Sequence, residues 1–181
     1  MISGPVIETA RLRLRVPEER DFPHFVALMS DEVAARHIGG VQSAPMTWRN
    51  LAALVGHWHF RGYGFFTVEE RETGAWVGRV GPWYPHGWSQ PEVGWSILRD
   101  HWGKGYGPEA AAASLDFAFD TLGWDEVIHL IAAENVNSQA VARKLGSRDT
   151  GRDEEVAGFG MIVDVWGQLK AEWAENRKRF A

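Results

Sequence analysis

Gly103, Gly105 and Gly107 fall at every second residue of the stretch Trp102-Gly103-Lys104-Gly105-Tyr106-Gly107-Pro108-Glu109. Without Cβ atoms they let the backbone turn with φ > 0 and let a ligand come close to the main chain. Pro108 suits a first helical position, where its missing N–H costs nothing. A loop of this kind opening a helix aims several free N–H groups, and about half a positive charge, at one spot. Its natural ligand is a phosphate or pyrophosphate, with Lys104 adding one mobile cation. The glycines do not follow the dinucleotide spacing G-x-G-x-x-G, and no G-x-x-x-x-G-K-[ST] occurs. On spacing alone, a phosphate cradle and a plain glycine-rich turn stay equally open.

Other side chains with chemical potential are fewer. Glu92 begins the stretch Glu92-Val93-Gly94-Trp95-Ser96-Ile97-Leu98 that leads towards the loop. By itself it reads as a surface carboxylate at a strand edge more readily than as a general base. Ser138 precedes an apolar helical stripe, where an N-cap accounts for it. His57 and His59 bracket Trp58 and point to different faces; with no H-E-x-x-H pattern they read as surface or hydrogen-bonded histidines. His86 and His101 are weaker candidates for a base, and His101 fits a turn-shaping role. Trp83, Tyr84, His86 and Trp88 crowd a Pro- and Gly-rich segment, residues 82–91. Aromatics there either wall a substrate pocket or lid the sheet edge. The chain has no cysteine, which excludes disulfides, thiolate metal sites and a cysteine nucleophile. No metal-ligand constellation is visible.

The elements that must position these residues follow from periodicity. Residues 8–16 alternate, with Leu12, Leu14 and Val16 on one face and Arg11, Arg13 and Arg15 on the other: a half-buried strand with a solvated basic face. Phe22, Phe25, Val26 and Met29 mark an amphipathic helix after Pro17. Thr47 reads as the N-cap of a second helix carrying Leu51, Leu54, Val55 and Trp58, ended by Gly62. Residues 64–70 and 75–83 form a hairpin, residues 82–91 a loop and residues 92–98 a strand. A helix after Pro108 carries Ala111, Leu115, Phe119 and Leu122 and stops at Gly123. Residues 127–133 are nearly continuously apolar, as in a central strand. Ser138 or Asn137 caps a helix with Val141, Ala142 and Leu145; a late strand and a charged helical tail complete the chain. An antiparallel meander followed by a βαβ crossover implies an α/β (α+β) fold with a mixed sheet and helices on both faces.

With 181 residues, one domain spanning 1–181 is expected, large enough for a real core. The hydrophobic fraction of 45% and charged fraction of 24% are those of a globular protein. The net charge of -5 speaks against a nucleic-acid surface. No apolar run approaches the ~18 residues of a spanning helix, and the N-terminus lacks a signal-peptide shape. A cytoplasmic protein without membrane or nucleic-acid partners is expected.

The element order and the glycine loop resemble the GNAT superfamily of N-acetyltransferases. There the corresponding pattern is [QR]-x-x-G-x-[GA]; Trp102 replaces its first residue here, as is typical of the RimJ/RimL-like branch with its W-G-x-G-[YL]-[AG]. Three more stretches resemble that branch: Glu8-Thr9-Ala10-Arg11-Leu12-Arg13-Leu14-Arg15, Pro91-Glu92-Val93-Gly94-Trp95, and Asn135-Val136-Asn137-Ser138-Gln139-Ala140-Val141-Ala142-Arg143-Lys144-Leu145-Gly146. Ser147 departs from the branch, which usually has a large apolar residue there, commonly Phe. The resemblance implies a mostly antiparallel central sheet of about seven strands. It also implies acetyl-CoA as co-substrate, with its pyrophosphate on Trp102, Gly103, Lys104, Gly105, Tyr106, Gly107 and Pro108. The pantetheine would pair with the backbone of residues 95–98, Ile97 and Leu98 included, and Asn135, Asn137 and Lys144 would add contacts.

Acetyl transfer needs a neutral amine, a stabilised oxyanion and a proton for the departing thiolate. By the resemblance Glu92 is the base, acting through water, and Ser138 the proton donor. Trp83, Tyr84, His86 and Trp88 would receive the acceptor. Without cysteine, direct attack in a ternary complex is expected, with no metal. The acceptor is a primary amine, on a protein N-terminus or on a small molecule; the acidic net charge mildly favours a cationic one. A non-catalytic acyl-CoA-binding module on the same fold is the alternative. A homodimer through the late strands or the tail helix stays open.

Overall fold

In the computed structural model, which describes residues 4–180, the alternating and apolar runs become one eight-stranded sheet in the order β1-β2-β3-β4-β5-β6-β8-β7. The strands are β1 (Ile7–Glu8), β2 (Leu12–Arg15), β3 (Phe66–Glu70), β4 (Trp76–Trp83), β5 (Glu92–Ile97), β6 (Glu126–Ile131), β7 (Arg148–Val156) and β8 (Met161–Leu169). Every pairing is antiparallel except β5 with β6. The expected sheet is thus present with one strand more than seven, because the first basic segment breaks at residues 9–11 into β1 and β2.

Helices cover both faces. On one, α4 (Tyr106–Asp116) packs against β2, β4 and β5, and Leu115, Phe119, Phe66 and Val68 share one buried cluster. On the other, α1 (Phe22–Ser30), α2 (Glu32–Ala35) and α3 (Ala44–Arg61) contribute Phe25, Met29, Ala35, Leu51 and Leu54 to a second. The i, i+3, i+4 stripes are what these helices bury, at about 1.5–3 kcal/mol for each large side chain taken from water. The helices α5 (Val136–Leu145) and α6 (Lys170–Asn176) flank the late strands.

Several local expectations change. Ser43, not Thr47, stands at the N-cap of α3; Thr47 is buried one turn inside and its hydroxyl donates to the Ser43 carbonyl. The helix α4 starts at Tyr106, so Pro108 is its third residue rather than its first. Asn135, not Ser138 or Asn137, caps α5, its side chain accepting from the Ser138 N–H. Pro82 lies inside β4 rather than in a loop. The β3 partner ladder has ended at Phe66↔Val80, so the missing N–H breaks no bond there. Arg15 is buried rather than solvated, gripped by Asp21 at 2.7 Å and Glu69 at 2.5 Å.

Candidate active site

The sheet opens at its one parallel junction. The pairing of β5 with β6 is confined to Glu92↔Ile128. Beyond it side chains replace the ladder. The buried His129 ring uses Nδ1 on the Val93 carbonyl (2.6 Å), and the Trp102 indole donates to the Ile97 carbonyl (2.8 Å). Successive strand residues alternate sides. The N–H and C=O of Trp95, which lie between those two carbonyls, therefore face the opening.

Two cavities meet there. A larger one, about 650 Å³, is lined by the glycine loop and the start of α5. A second, about 350 Å³, lies beneath α1 and α3. They share Trp95, Ser96, Asn135 and Ser138, together with His37 and Ile38 from the α2–α3 loop.

The first cavity is shaped by the glycine loop. Gly103 and Gly105 have φ of 74° and 81°, a backbone that L-residues with side chains rarely adopt. Gly105 is also the N-cap of α4. The N–H groups of Gly105, Tyr106 and Gly107 have no intrahelical acceptor by their position in the first turn, and Pro108 has no N–H to satisfy. The basic segment 9–11 holds this loop in place. Glu109 on α4 accepts from the Thr9 hydroxyl (2.6 Å) and from Arg11 Nε (2.7 Å). Arg11 Nη1 reaches the Lys104 carbonyl (2.8 Å), and the guanidinium lies over the Tyr106 ring. Ile97, Trp102, Gly103, Gly105, Tyr106, Gly107, Pro108, Asn135, Asn137 and Lys144 all line this cavity. Leu98 and Lys104 do not. Leu98 packs into the α1–α3 cluster, its N–H on the Val77 carbonyl. Lys104 is exposed beside the loop.

The second cavity holds Glu92. Its carboxylate accepts from the Trp88 indole at 2.7 Å. Burial pushes the Glu92 carboxyl up to about 7, opposed by the Trp88 and Leu130 N–H groups and by the Arg79 charge. A carboxyl titrating near neutrality is suited to proton exchange at physiological pH. Trp83, His86 and Trp88 line the same cavity. Tyr84 does not; its backbone N–H points at His57 Nε2 (3.4 Å). His57 is a buried, hydrogen-bonded histidine stacked on Trp83, and burial lowers its basicity. Three segments bridge over this cavity. A Cβ at Gly39 would lie 3.2 Å from Phe159, and one at Gly87 would lie 3.2 Å from Ala157, so the α2–α3 loop, residues 84–91 and the β7–β8 turn touch.

Ser138 sits where the cavities join, its Oγ accepting from the Trp95 indole at 3.2 Å. Since Asn135 caps the helix, the cap does not account for this hydroxyl. His101 faces the glycine-loop cavity, far in the fold from Glu92.

The sequence reading missed Arg79, Phe65, Ser96, Trp95 as a side chain, and the α1–α3 wall. One signal was present: Arg79 interrupts the otherwise apolar strand Trp76–Trp83.

Residues 11–148 match the family described as acetyltransferase (GNAT) domain. The Bacillus subtilis protein YkkB is 33% identical over 148 residues, covering 76% of this chain and 82% of that protein. An N-acetyltransferase of the same organism, YoaA, is 25% identical over 156 residues, 81% of this chain and 85% of its own. The crystal structure of an acetyltransferase from Agrobacterium tumefaciens superposes with a TM-score of 0.80 at 29% identity, covering 94% of this chain and 97% of that one. The chain belongs to the GNAT acetyltransferase family, whose reaction is acetyl transfer from acetyl-CoA. Among the described residues no helix is long and apolar enough to cross a membrane.

Proposed function

We propose that this chain, acting as one domain, transfers the acetyl group of acetyl-CoA to a primary amine by direct attack in a ternary complex. The observation that carries the reading is the junction of the two cavities at Ser138 and Trp95, with Glu92 in one and the glycine loop in the other. The residues suit the co-substrate. The N–H groups of the α4 first turn, with Lys144, suit a pyrophosphate. The open edge of β5 at Trp95 suits a pantetheine laid down like an added strand. Acetyl-CoA supplies an activated acyl carbonyl and a thiolate leaving group.

The remaining chemistry belongs to side chains. Glu92, directly or through water, takes a proton from the acceptor ammonium. The amine nitrogen then bonds to the carbonyl carbon as the C–S bond breaks. Ser138 gives its proton to the departing sulfur and recovers one from solvent or from the attacking nitrogen. A backbone N–H of β5 polarises the carbonyl oxygen. The cost of freeing the amine sets the need for a base: at pH 7 an α-amine of pKa ~8 costs about 1.4 kcal/mol, and a lysine of pKa ~10.4 about 4.6 kcal/mol. A carboxyl at about 7 serves the first far better than the second. The W-G-x-G-Y-G loop and the N-x-x-S segment support the RimJ/RimL-like branch, whose acceptors include protein N-termini.

Thermal shift with acetyl-CoA, against desulfo-CoA and ATP, tests the donor site. A ligand at about a hundredfold its Kd adds about 2.7 kcal/mol. A rise with acetyl-CoA and none with ATP is expected, followed by release of free thiol in an amine screen. Binding without thiol release for any amine would instead favour a non-catalytic acyl-CoA module.

A further inference from the structure

The smaller cavity contains a cation that the chain does not neutralise. Arg79 projects from β4 into it. Its Nε makes one long contact, 3.4 Å to Ser96 Oγ. Its guanidinium lies over the Phe65 ring, 4.8 Å from the centroid. No other hydrogen-bond acceptor and no carboxylate within ion-pair distance engages it among the described residues. The contrast with Arg15 is sharp: that buried guanidinium is held by two carboxylates. Burial pushes Arg79 down to about 10, with only the charge of Glu92 acting the other way; it is still a cation at neutral pH. A half-buried charge with no carboxylate within ion-pair distance is poorly compensated, and its guanidinium, open to a ligand cavity, is free to take a ligand that completes it.

Resting on the transferase reading, we infer that the acceptor is an amine carrying its own carboxylate, an α-amino acid or short derivative with an apolar side chain, and that Arg79 binds that carboxylate. The guanidinium fork matches a carboxylate in bidentate geometry. Register puts Arg79 directly opposite Ser96, which belongs to both cavities. A carboxylate held there keeps an α-amine beside the acyl-transfer junction. Along β5, Glu92 stands four residues away on the same face. The Phe65 ring lies between them; a Cβ at Gly94 would fall 2.9 Å from Phe65 Cζ and 3.3 Å from Glu92 Oε1. Phe25, Leu54, Phe65 and Trp83 supply apolar walls. The volume of about 350 Å³ lies near the lower end of small-ligand sites. A polyamine would meet Arg79 as a like charge. The acidic net charge that favours cations at long range is overruled inside the cavity, where a nearby charge is poorly screened. The same repulsion favours the neutral, reactive form of the bound amine.

The test compares amines that differ in that one charge. Full-length protein with saturating acetyl-CoA is assayed for thiol release on L-phenylalanine and L-methionine, their amides, phenethylamine and spermidine. The carboxylates are expected to have the higher kcat/KM, mostly through KM. The carboxylate-to-amide ratio should fall about thirtyfold or more in Arg79→Met and less in Arg79→Lys, which keeps the charge but loses the fork. Comparing ratios between proteins cancels the intrinsic reactivity of each amine. The thermal shift with acetyl-CoA checks that each variant is folded, and if Arg79→Met loses it, wild type and Arg79→Lys decide. Amides, phenethylamine or spermidine used as well as the carboxylates, or a ratio unchanged on substitution, would overturn this inference and leave the transferase standing. No thiol release with any amine, while acetyl-CoA still raises Tm, would overturn the transferase reading and this inference with it.

Discussion

Glu92 and Ser138 make separable contributions to turnover. Glu92→Gln keeps the shape and the Trp88 contact but cannot take a proton. It should lower kcat by about 10²–10⁴-fold with acetyl-CoA affinity unchanged by titration. The wild-type kcat/KM should rise through pH about 7, following the carboxyl that burial has raised, and the variant should lose that limb. An unchanged rate at neutral pH would remove Glu92 as the base. Ser138→Ala should slow transfer while Tm hardly moves, because Asn135 carries the cap. If instead stability drops by the ~1 kcal/mol of a lost cap and turnover holds, the proton-donor role fails. Glu92 was visible in the sequence only through the family pattern. Its own neighbourhood looks like a strand edge, and what raises its pKa is burial in a cavity assembled from distant elements, against the opposing pull of the Trp88 and Leu130 N–H groups and the Arg79 charge, none of it implied by local periodicity.

At the scale of elements, the glycine loop is held by a segment 93 to 100 residues away in sequence. Arg11 and Thr9 clamp Glu109 at the first turn of α4. Arg11→Ala should therefore raise the Kd for acetyl-CoA about tenfold, one lost charge-assisted hydrogen bond being worth about 1.5–3 kcal/mol in the ordered loop. The KM of the amine should stay put, and equal losses for both substrates would point to general loosening. Gly105→Val should abolish acetyl-CoA binding, since φ is 81° and the new Cβ would sit 3.3 Å from Arg11 Nη2. Strand and helix identities were legible because their stripes are long. The junction of β5 and β6 was not, because a ladder that stops after one pair leaves no mark on alternation. Nor was the role of Ser147, which departs from the branch's bulky residue. It is buried between His129 Nε2 (2.9 Å) and Gln168 Nε2 (2.8 Å), completing a polar chain that starts at the Val93 carbonyl.

For the whole molecule, the site leaves a signature in stability against pH. His129 is buried as the neutral ring, lowered by burial to about 4. Between about 4 and its ordinary 6.5 the unfolded chain binds a proton that the folded chain does not, so His129 makes stability rise with pH in that window; His57 acts in the same direction. Glu92 does the reverse. Its folded carboxyl stays protonated from its ordinary 4.5 up to about 7, while the unfolded one ionises, so stability falls as pH rises through that window. The slopes oppose each other between about 4.5 and 6.5, at about 1.4 kcal/mol per pH unit for each fully titrating group. Glu92→Gln removes only the falling slope. Its stability relative to wild type should be nearly level at pH 4.5 and grow to roughly 1–3 kcal/mol by pH 8, read from denaturant unfolding at the two pH values. A difference that does not change with pH would mean that the Glu92 carboxyl is not raised in the folded protein, and the case for it as a base at neutral pH would fall too. A gain in stability paired with a loss of turnover would mark Glu92 as a residue held at a cost to the fold for the sake of the reaction.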